Sequence, residues 1–311
     1  MSASCPECSL PGGECKATLH EGLKTQRLFS PPSVRYARAM RKLAVLAALC
    51  LAAGPALAAE TAWQTIAPDV RVRLIASEQL RADRTTLAAI EIDMPASTKT
   101  YWRVPGETGI PTELDLAGSV GVSGDDIVWP YPVLDTTGGY TDFVYYGPTV
   151  LPIELRVDGG RAVLEASVLM GVCSDICVPA QAEFSLPLDF ASPDRGQNLR
   201  IHQALALAPM DWQASEAPIG DIAFDPVRNA LVVPVAGAEI DPLSIIAQAE
   251  GNGLLFGAPQ KSPDGQLVLL PLLGGSGAEG LVGRHIQLTF MTPAGPFELT
   301  RRVAPSTPGG L

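Results

Sequence analysis

Short apolar runs, cut off every few residues by glycine or proline, constrain the fold of this chain more than any other feature. Glycine occurs 30 times and proline 28 times in 311 residues. Both residues interrupt helices, so this spacing favours short strands joined by turns. Strand-like runs fall at residues 70–76, 86–94, 127–129, 150–157, 162–169 and 182–188. Their number and spacing predict a mainly β fold, an immunoglobulin-like β-sandwich over residues 59–190. A helix is expected over 194–207, with Leu199, Ile201, Leu205 and Leu207 as its apolar residues and Pro209 as its stop. It sits in a linker, 191–210. The β pattern then resumes at 230–235, 254–256, 266–272, 285–291 and 297–303, with Asp264-Gly265 as a hairpin turn. A second, smaller β-rich domain is therefore expected over 211–311.

The N-terminus sets the compartment. Met40-Arg41-Lys42 precedes an apolar run from Leu43 to Ala53, Gly54-Pro55 breaks it, and Ala56-Leu57-Ala58 offers a small-x-small cleavage site before Ala59. The run is shorter than the roughly 20 apolar residues that span a bilayer. Residues 40–58 are read as a signal peptide, and the expected location is the periplasm. Cys50 follows the bulky Leu49, which argues against a lipoprotein site. Residues 1–39 are read as an over-translated leader ahead of a true start at Met40. The alternative is a small metal knuckle from Cys5, Cys8, Cys15 and His20, which would need four placed ligands and a closed fold. No later segment is long and apolar enough to be a transmembrane helix. Beyond residue 58 there remain 15 Lys/Arg and 30 Asp/Glu, a net charge of −15. That charge repels phosphate backbones, so nucleic acid is not an expected partner.

Removal of the leader and signal would leave two cysteines, in Cys173-Ser174-Asp175-Ile176-Cys177. A single thiol pair in an oxidising compartment is a staple or a redox centre. Three residues between two β-runs suit a hairpin turn, and opposed strand positions bring Cβ atoms close to disulfide range. Closing so small a loop contributes about 2 kcal/mol, which a domain of this size does not require. Spacing alone leaves both readings open. Haem attachment needs Cys-x-x-Cys-His, which the segment beyond residue 58 lacks, and neither His202 nor His285 is near in sequence to complete a zinc site. Two thiolates can bind copper(I), and that reading stays open. No cofactor is expected. The charges flanking the pair are Glu165, Asp175 and Glu183, and the nearest basic residues in sequence are Arg161 and Arg195. Negative neighbours disfavour a thiolate, so the pair is expected to act as a passive relay, with the partner supplying the reactive sulfur.

Gly171-Val-Cys173-Ser-Asp-Ile-Cys177-Val-Pro179-Ala resembles the N-terminal periplasmic domain of DsbD, the membrane thiol:disulfide interchange protein, and more closely the related ScsB-type proteins. Tyr101-Trp102-Arg103-Val-Pro105-Gly106-Glu-Thr-Gly109-Ile-Pro111, Trp129-Pro130-Tyr131-Pro132 and Gly138-Gly139-Tyr140-Thr-Asp-Phe143-Val-Tyr145-Tyr146-Gly147 are similar to the same group. The resemblance implies a protein-disulfide reductase module that passes electrons between its cysteine pair and thioredoxin-fold partners in the periplasm, or a membrane electron carrier. The partner class comprises isomerases, cytochrome c maturation factors and copper-handling thiol proteins. Cys177 matches the cysteine that forms mixed disulfides and Cys173 its resolving partner. Gly138, Gly139 and Tyr140 match a cap loop whose aromatic ring shields the disulfide. The sequence departs from the best-known DsbD pattern in its shorter gap between cysteines. It also has no eight-helix membrane domain or thioredoxin domain, so a stand-alone form is expected, which would borrow an electron donor, act in a different pathway or have lost redox turnover. Two alternatives are a non-catalytic binding module with a structural disulfide and a copper(I)-handling accessory protein. Residues 211–311 suggest docking or structural support.

Overall fold

The computed structural model describes residues 59–124, 127–159, 161–236, 240–249, 253–273 and 280–305. The expected leader 1–39, the signal peptide 40–58 and the Cys5/Cys8/Cys15/His20 knuckle lie outside these residues.

Two antiparallel sheets face each other over residues 64–188. One contains β1 (Gln64–Ala67), β2 (Val70–Ala76), β3 (Thr85–Asp93), β6 (Val122–Ser123) and β9 (Thr149–Val157), in the order β1-β2-β3-β9-β6. The other contains β4 (Lys99–Gly106), β7 (Val133–Asp135), β8 (Asp142–Tyr146), β10 (Ala162–Cys173) and β11 (Cys177–Leu188), in the order β11-β10-β4-β8-β7. A short strand, β5 (Glu113–Asp115), also pairs with β10. Alternation explains the layering. Val70, Val72 and Leu74 turn inward from β2, and Leu164, Val168 and Met170 turn inward from β10. They share one core with Ile90, Leu151, Ile153, Trp102 and Phe184. Fully burying each aliphatic or aromatic side chain contributes about 1.5–3 kcal/mol, and two interdigitated inner faces make the sandwich. The fold is the expected immunoglobulin-like, mainly β architecture.

Three details depart from the sequence reading. Residues 127–129 form no strand: Ile127 makes one bridge to Ile153, and the Val128 N–H donates to the Pro152 carbonyl at 2.8 Å. Pro130, which lacks a donor, ends the pairing. Conversely, β4 and β8 are strands that the sequence reading did not identify. The helix α1 (Arg195–Leu205) is capped by Asp194, whose carboxylate accepts from the N–H groups of Gly196 and Gln197. It buries Ile201 and Ala204, whereas Leu199 and Leu207 are 60% and 59% exposed.

The second β-rich part has two sheets. One has the order β12 (Met210–Asp211), β20 (Gly295–Arg302), β19 (His285–Thr292), β15 (Ile246–Ala249). The other is built from β13 (Ala223–Asp225), β14 (Ala230–Pro234), β18 (Leu267–Leu273) and β16 (Leu255–Phe256), with β17 (Gln260–Lys261) also paired to β18. Asp264-Gly265 turns β17 into β18, with Gly265 at φ +75°, where glycine has no steric cost. Leu231, Val233, Leu270, Leu288 and Phe290 fill a separate core. The two parts touch where Arg103 on β4 meets Glu298 at 2.9 Å, and where the Tyr131 hydroxyl donates to the Ser244 carbonyl at 2.5 Å.

Candidate functional site: a hairpin-tip disulfide

β10 and β11 pair without interruption from Ala162↔Leu188 to Cys173↔Cys177. Ser174, Asp175 and Ile176 turn the chain, and a disulfide joins Cys173 to Cys177 across the mouth of the turn. The two sulfurs are unequal in access. Cys173 is 2% exposed, whereas Cys177 is exposed and stands beside Ile176, which is 76% exposed.

β4 covers Cys173. Lys99 is the Cα partner of Cys173. Two residues further, the Tyr101 hydroxyl lies 2.8 Å from Cys173 Sγ and 3.4 Å from Cys177 Sγ. Disulfide sulfurs carry no hydrogen, so the hydroxyl is the donor. Tyr101 is fully buried, and burial raises its pKa above the ordinary phenol value, which keeps the proton on oxygen. Two glycines shape the slot for its ring. A Cβ on Gly109 would stand 2.2 Å from Tyr101 Cδ1, and one on Gly171 would stand 3.0 Å from Cδ2 and from the Ile110 carbonyl oxygen. Gly109→Ala is therefore expected to push the ring off the sulfurs and to destabilise the fold by about 1–3 kcal/mol. Paired measurements of thermal unfolding and dithiothreitol reduction check this. An unchanged melting temperature would mean that the slot is not tight.

Of the three acidic residues expected to flank the pair, Asp175 stands in the turn between the cysteines, whereas the other two lie far along the strands. Glu165 is eight extended residues from Cys173, about 26 Å, and Glu183 six from Cys177, about 20 Å. Both distances exceed the screening length of about 8 Å at physiological salt. The cation missing from the local sequence is supplied by Lys99, whose Nζ lies 5.7 Å from the Tyr101 ring centroid. That ammonium contacts Asp135 at 2.6 Å and Asp142 at 3.4 Å. Burial alone would lower the Lys99 pKa, but the Asp135 hydrogen bond and the nearby charges raise it overall. Burial likewise works against the Asp135 carboxylate, yet donors from Lys99, Thr137 and Tyr146 hold its pKa well below the usual range. Thr108 donates its hydroxyl and its N–H to Asp142.

Asp135 and Asp142 flank the loop that holds the three expected cap residues. Gly138 and Gly139 adopt φ +79° and +84°, and a Cβ on Gly139 would meet nothing within 4 Å. Tyr140 is 54% exposed. The ring within hydrogen-bonding reach of the sulfurs is that of Tyr101. Lys99, Tyr101, Asp135 and Asp142 escaped the sequence reading as site residues, because Lys99 and Tyr101 lie on a strand whose residues are buried on both faces and show no alternation. Among the described residues, no group of three or more His, Cys, Asp or Glu side chains stands together as a metal site.

A two-sheet sandwich with a disulfide at a hairpin tip is an immunoglobulin-like module of the kind expected. Residues 71–189 match the family described as thiol:disulfide interchange protein DsbD, N-terminal. The match supports a domain like the N-terminal domain of DsbD over this segment. The crystal structure of the N-terminal periplasmic domain of ScsB from Proteus mirabilis is similar in fold, with a TM-score of 0.61 at 23% identity over 79% of this chain and 99% of that chain. That span is longer than 71–189, so the likeness in fold continues beyond the matched domain. A comparison with curated proteins gives no match.

Proposed function

We propose that this protein is a periplasmic thiol–disulfide exchange protein in which Cys177 exchanges with thioredoxin-fold partners and Cys173 resolves. The observation that carries this reading is the unequal burial of the two sulfurs, 2% exposure at Cys173 against an exposed Cys177. A partner thiolate attacks Cys177 Sγ along the axis of the disulfide. A sulfur–sulfur bond to the partner forms, the bond to Cys173 breaks, and Cys173 leaves as a thiolate that takes up a proton. The partner's second thiolate then attacks its own half of the mixed disulfide and releases Cys177. The partner loses two electrons and this protein gains them; the reverse sequence reduces the partner. The Tyr101 hydroxyl, 2.8 Å from Cys173, is placed to stabilise charge on the departing sulfur.

Three further expectations belong to this reading. The loop containing Gly138, Gly139 and Tyr140 acts as the cap, supported by Lys99 tying both its ends to the strand beside Cys173. Export removes residues up to Ala58, supported by the order of a charged start, an apolar run and Ala56-Leu57-Ala58 in the sequence. The chain divides into an exchange domain at 59–190, a linker at 191–210 and a second domain at 211–311, supported by two sets of sheets with largely separate cores.

Equilibration of the purified protein with dithiothreitol redox buffers tests the function. The expected reduction potential lies above about −300 mV, where labile bridges fall. A lower value would assign the bridge to structure.

A further inference from the structure

The strand that carries Tyr101 is held by the second β-rich part as well as by its own sheet. β4 pairs regularly with β8 as far as Tyr101↔Val144, and pairing returns at Gly106↔Asp142. Residues 102–105 thus stand against the single residue Phe143, and the ladder lapses directly after Tyr101. Arg103 lies in this stretch, its guanidinium 4.5 Å from the centre of the Trp102 ring. One nitrogen, Nη2, donates to Gln287 Oε1 and Thr289 Oγ1, each at 3.3 Å, and to Glu298 Oε2 at 2.9 Å. Gln287 and Thr289 are two apart on β19, and Glu298 on β20 is the Cα partner of Thr289. The three acceptors therefore share one face of that sheet. The Arg103 and Glu298 side chains are largely shielded from solvent, so their charge-assisted bond holds more firmly than an ion pair at the surface.

This anchor lies next to the redox site. Arg103 is two residues from Tyr101, whose hydroxyl is 2.8 Å from Cys173 Sγ, and four from Lys99, the Cα partner of Cys173. Two residues of extended chain span about 7 Å and leave little slack to absorb a shift. A displacement of about 1 Å at the Tyr101 oxygen is enough to weaken its hydrogen bond severely. The side of β4 that has lost its ladder is thus the side from which such a shift would come, and Arg103 fixes it.

We propose that Arg103 is a positioning residue for exchange: by tying the irregular stretch of β4 to β19 and β20 it keeps the Tyr101 hydroxyl on Cys173, which gives the second β-rich part a role in the redox site. The proposal rests on the exchange reading above. Its test is a double-mutant cycle on the rate at which dithiothreitol opens the Cys173–Cys177 bridge. Arg103→Met removes the donors and keeps the unbranched stem. In the presence of Tyr101 it is expected to slow opening by about three- to tenfold, part of what loss of the hydroxyl itself would cost. In a Tyr101→Phe background it should change the rate by less than about twofold, because the hydroxyl it positions is gone. A merely structural role would act alike in both backgrounds. Glu298→Gln keeps an acceptor in place and removes only its charge; this milder variant should show a smaller slowing with the same dependence on background. Equal slowing in both backgrounds, or an unchanged or faster rate with Tyr101 present, overturns the proposal. A wild-type bridge that dithiothreitol cannot open overturns the exchange reading instead.

Discussion

Reduced Cys173→Ser protein is expected to accumulate as a mixed disulfide with a thioredoxin-fold partner, whereas Cys177→Ser is expected to form almost none. The asymmetry follows from access. In the first variant the remaining thiol is the exposed Cys177, which attacks the partner's disulfide and expels one partner sulfur. The next step would be attack by Cys173 on the mixed disulfide, and a serine oxygen cannot replace it. Well-oriented intramolecular reactions reach effective molarities on the order of 10⁵ M or more, so losing the resolving sulfur should prolong the intermediate by orders of magnitude. In the second variant the remaining thiol is Cys173, 2% exposed behind the Tyr101 hydroxyl. Loss of the five-residue crosslink costs about 2 kcal/mol in either variant, so stability cannot produce the difference. Non-reducing electrophoresis with mass spectrometry of the adduct reads the result. Equal trapping by both variants, or trapping by Cys177→Ser alone, would contradict the assignment.

Local regularities were legible in the sequence, and cross-strand neighbours were not. Residues 70–76 read as a strand because Val70, Val72 and Leu74 alternate with polar partners, and β2 occupies those residues. The central strand β4 escaped because Thr100, Tyr101 and Trp102 are all buried, so both faces are covered and no alternation survives. Its Pro105-Gly106 end reads as a turn; Gly106 sits at φ +93°, where a Cβ would stand 2.2 Å from the Thr141 carbonyl oxygen. Missing β4 hid half of the site, since β4 carries both Lys99 and Tyr101. The charge expectation was incomplete for the same reason: Asp175 does stand in the turn between the cysteines, but the other two acids do not stay close. Glu165 and Glu183 are near the cysteines in the chain but far along straight strands, while Lys99, 74 residues before Cys173, is its direct partner. The hairpin itself was recoverable, because twelve paired positions and a three-residue turn leave little freedom of register. The helix was found and its buried face in part: Ile201 and Leu205 pack on the sheet as expected, whereas Leu199 and Leu207 are exposed.

Tyr101→Phe should slow reduction of the disulfide by about 10- to 100-fold, the range set by a hydrogen bond to a charging group at about 1.5–3 kcal/mol. The substitution removes one oxygen and leaves the ring between Gly109 and Gly171. Packing is therefore kept, and the melting temperature should move little. The effect falls on the step in which Cys173 departs. In the disulfide the sulfur is neutral and the hydroxyl bond is weak; as the bond to Cys177 breaks, negative charge grows on Cys173 Sγ, 2.8 Å from that hydroxyl. A donor whose bond strengthens only as charge develops lowers the barrier and not merely the ground state. Lys99 cannot take over, because its ammonium is held by Asp135 at 2.6 Å and Asp142 at 3.4 Å. Stopped-flow reduction by dithiothreitol, alongside thermal unfolding, separates the two effects. A slowed reaction at unchanged stability is the expected result. An unchanged rate would mean that the hydroxyl bond serves the resting disulfide alone, and charge on Cys173 would then have to be met by solvent entering as the cap loop moves.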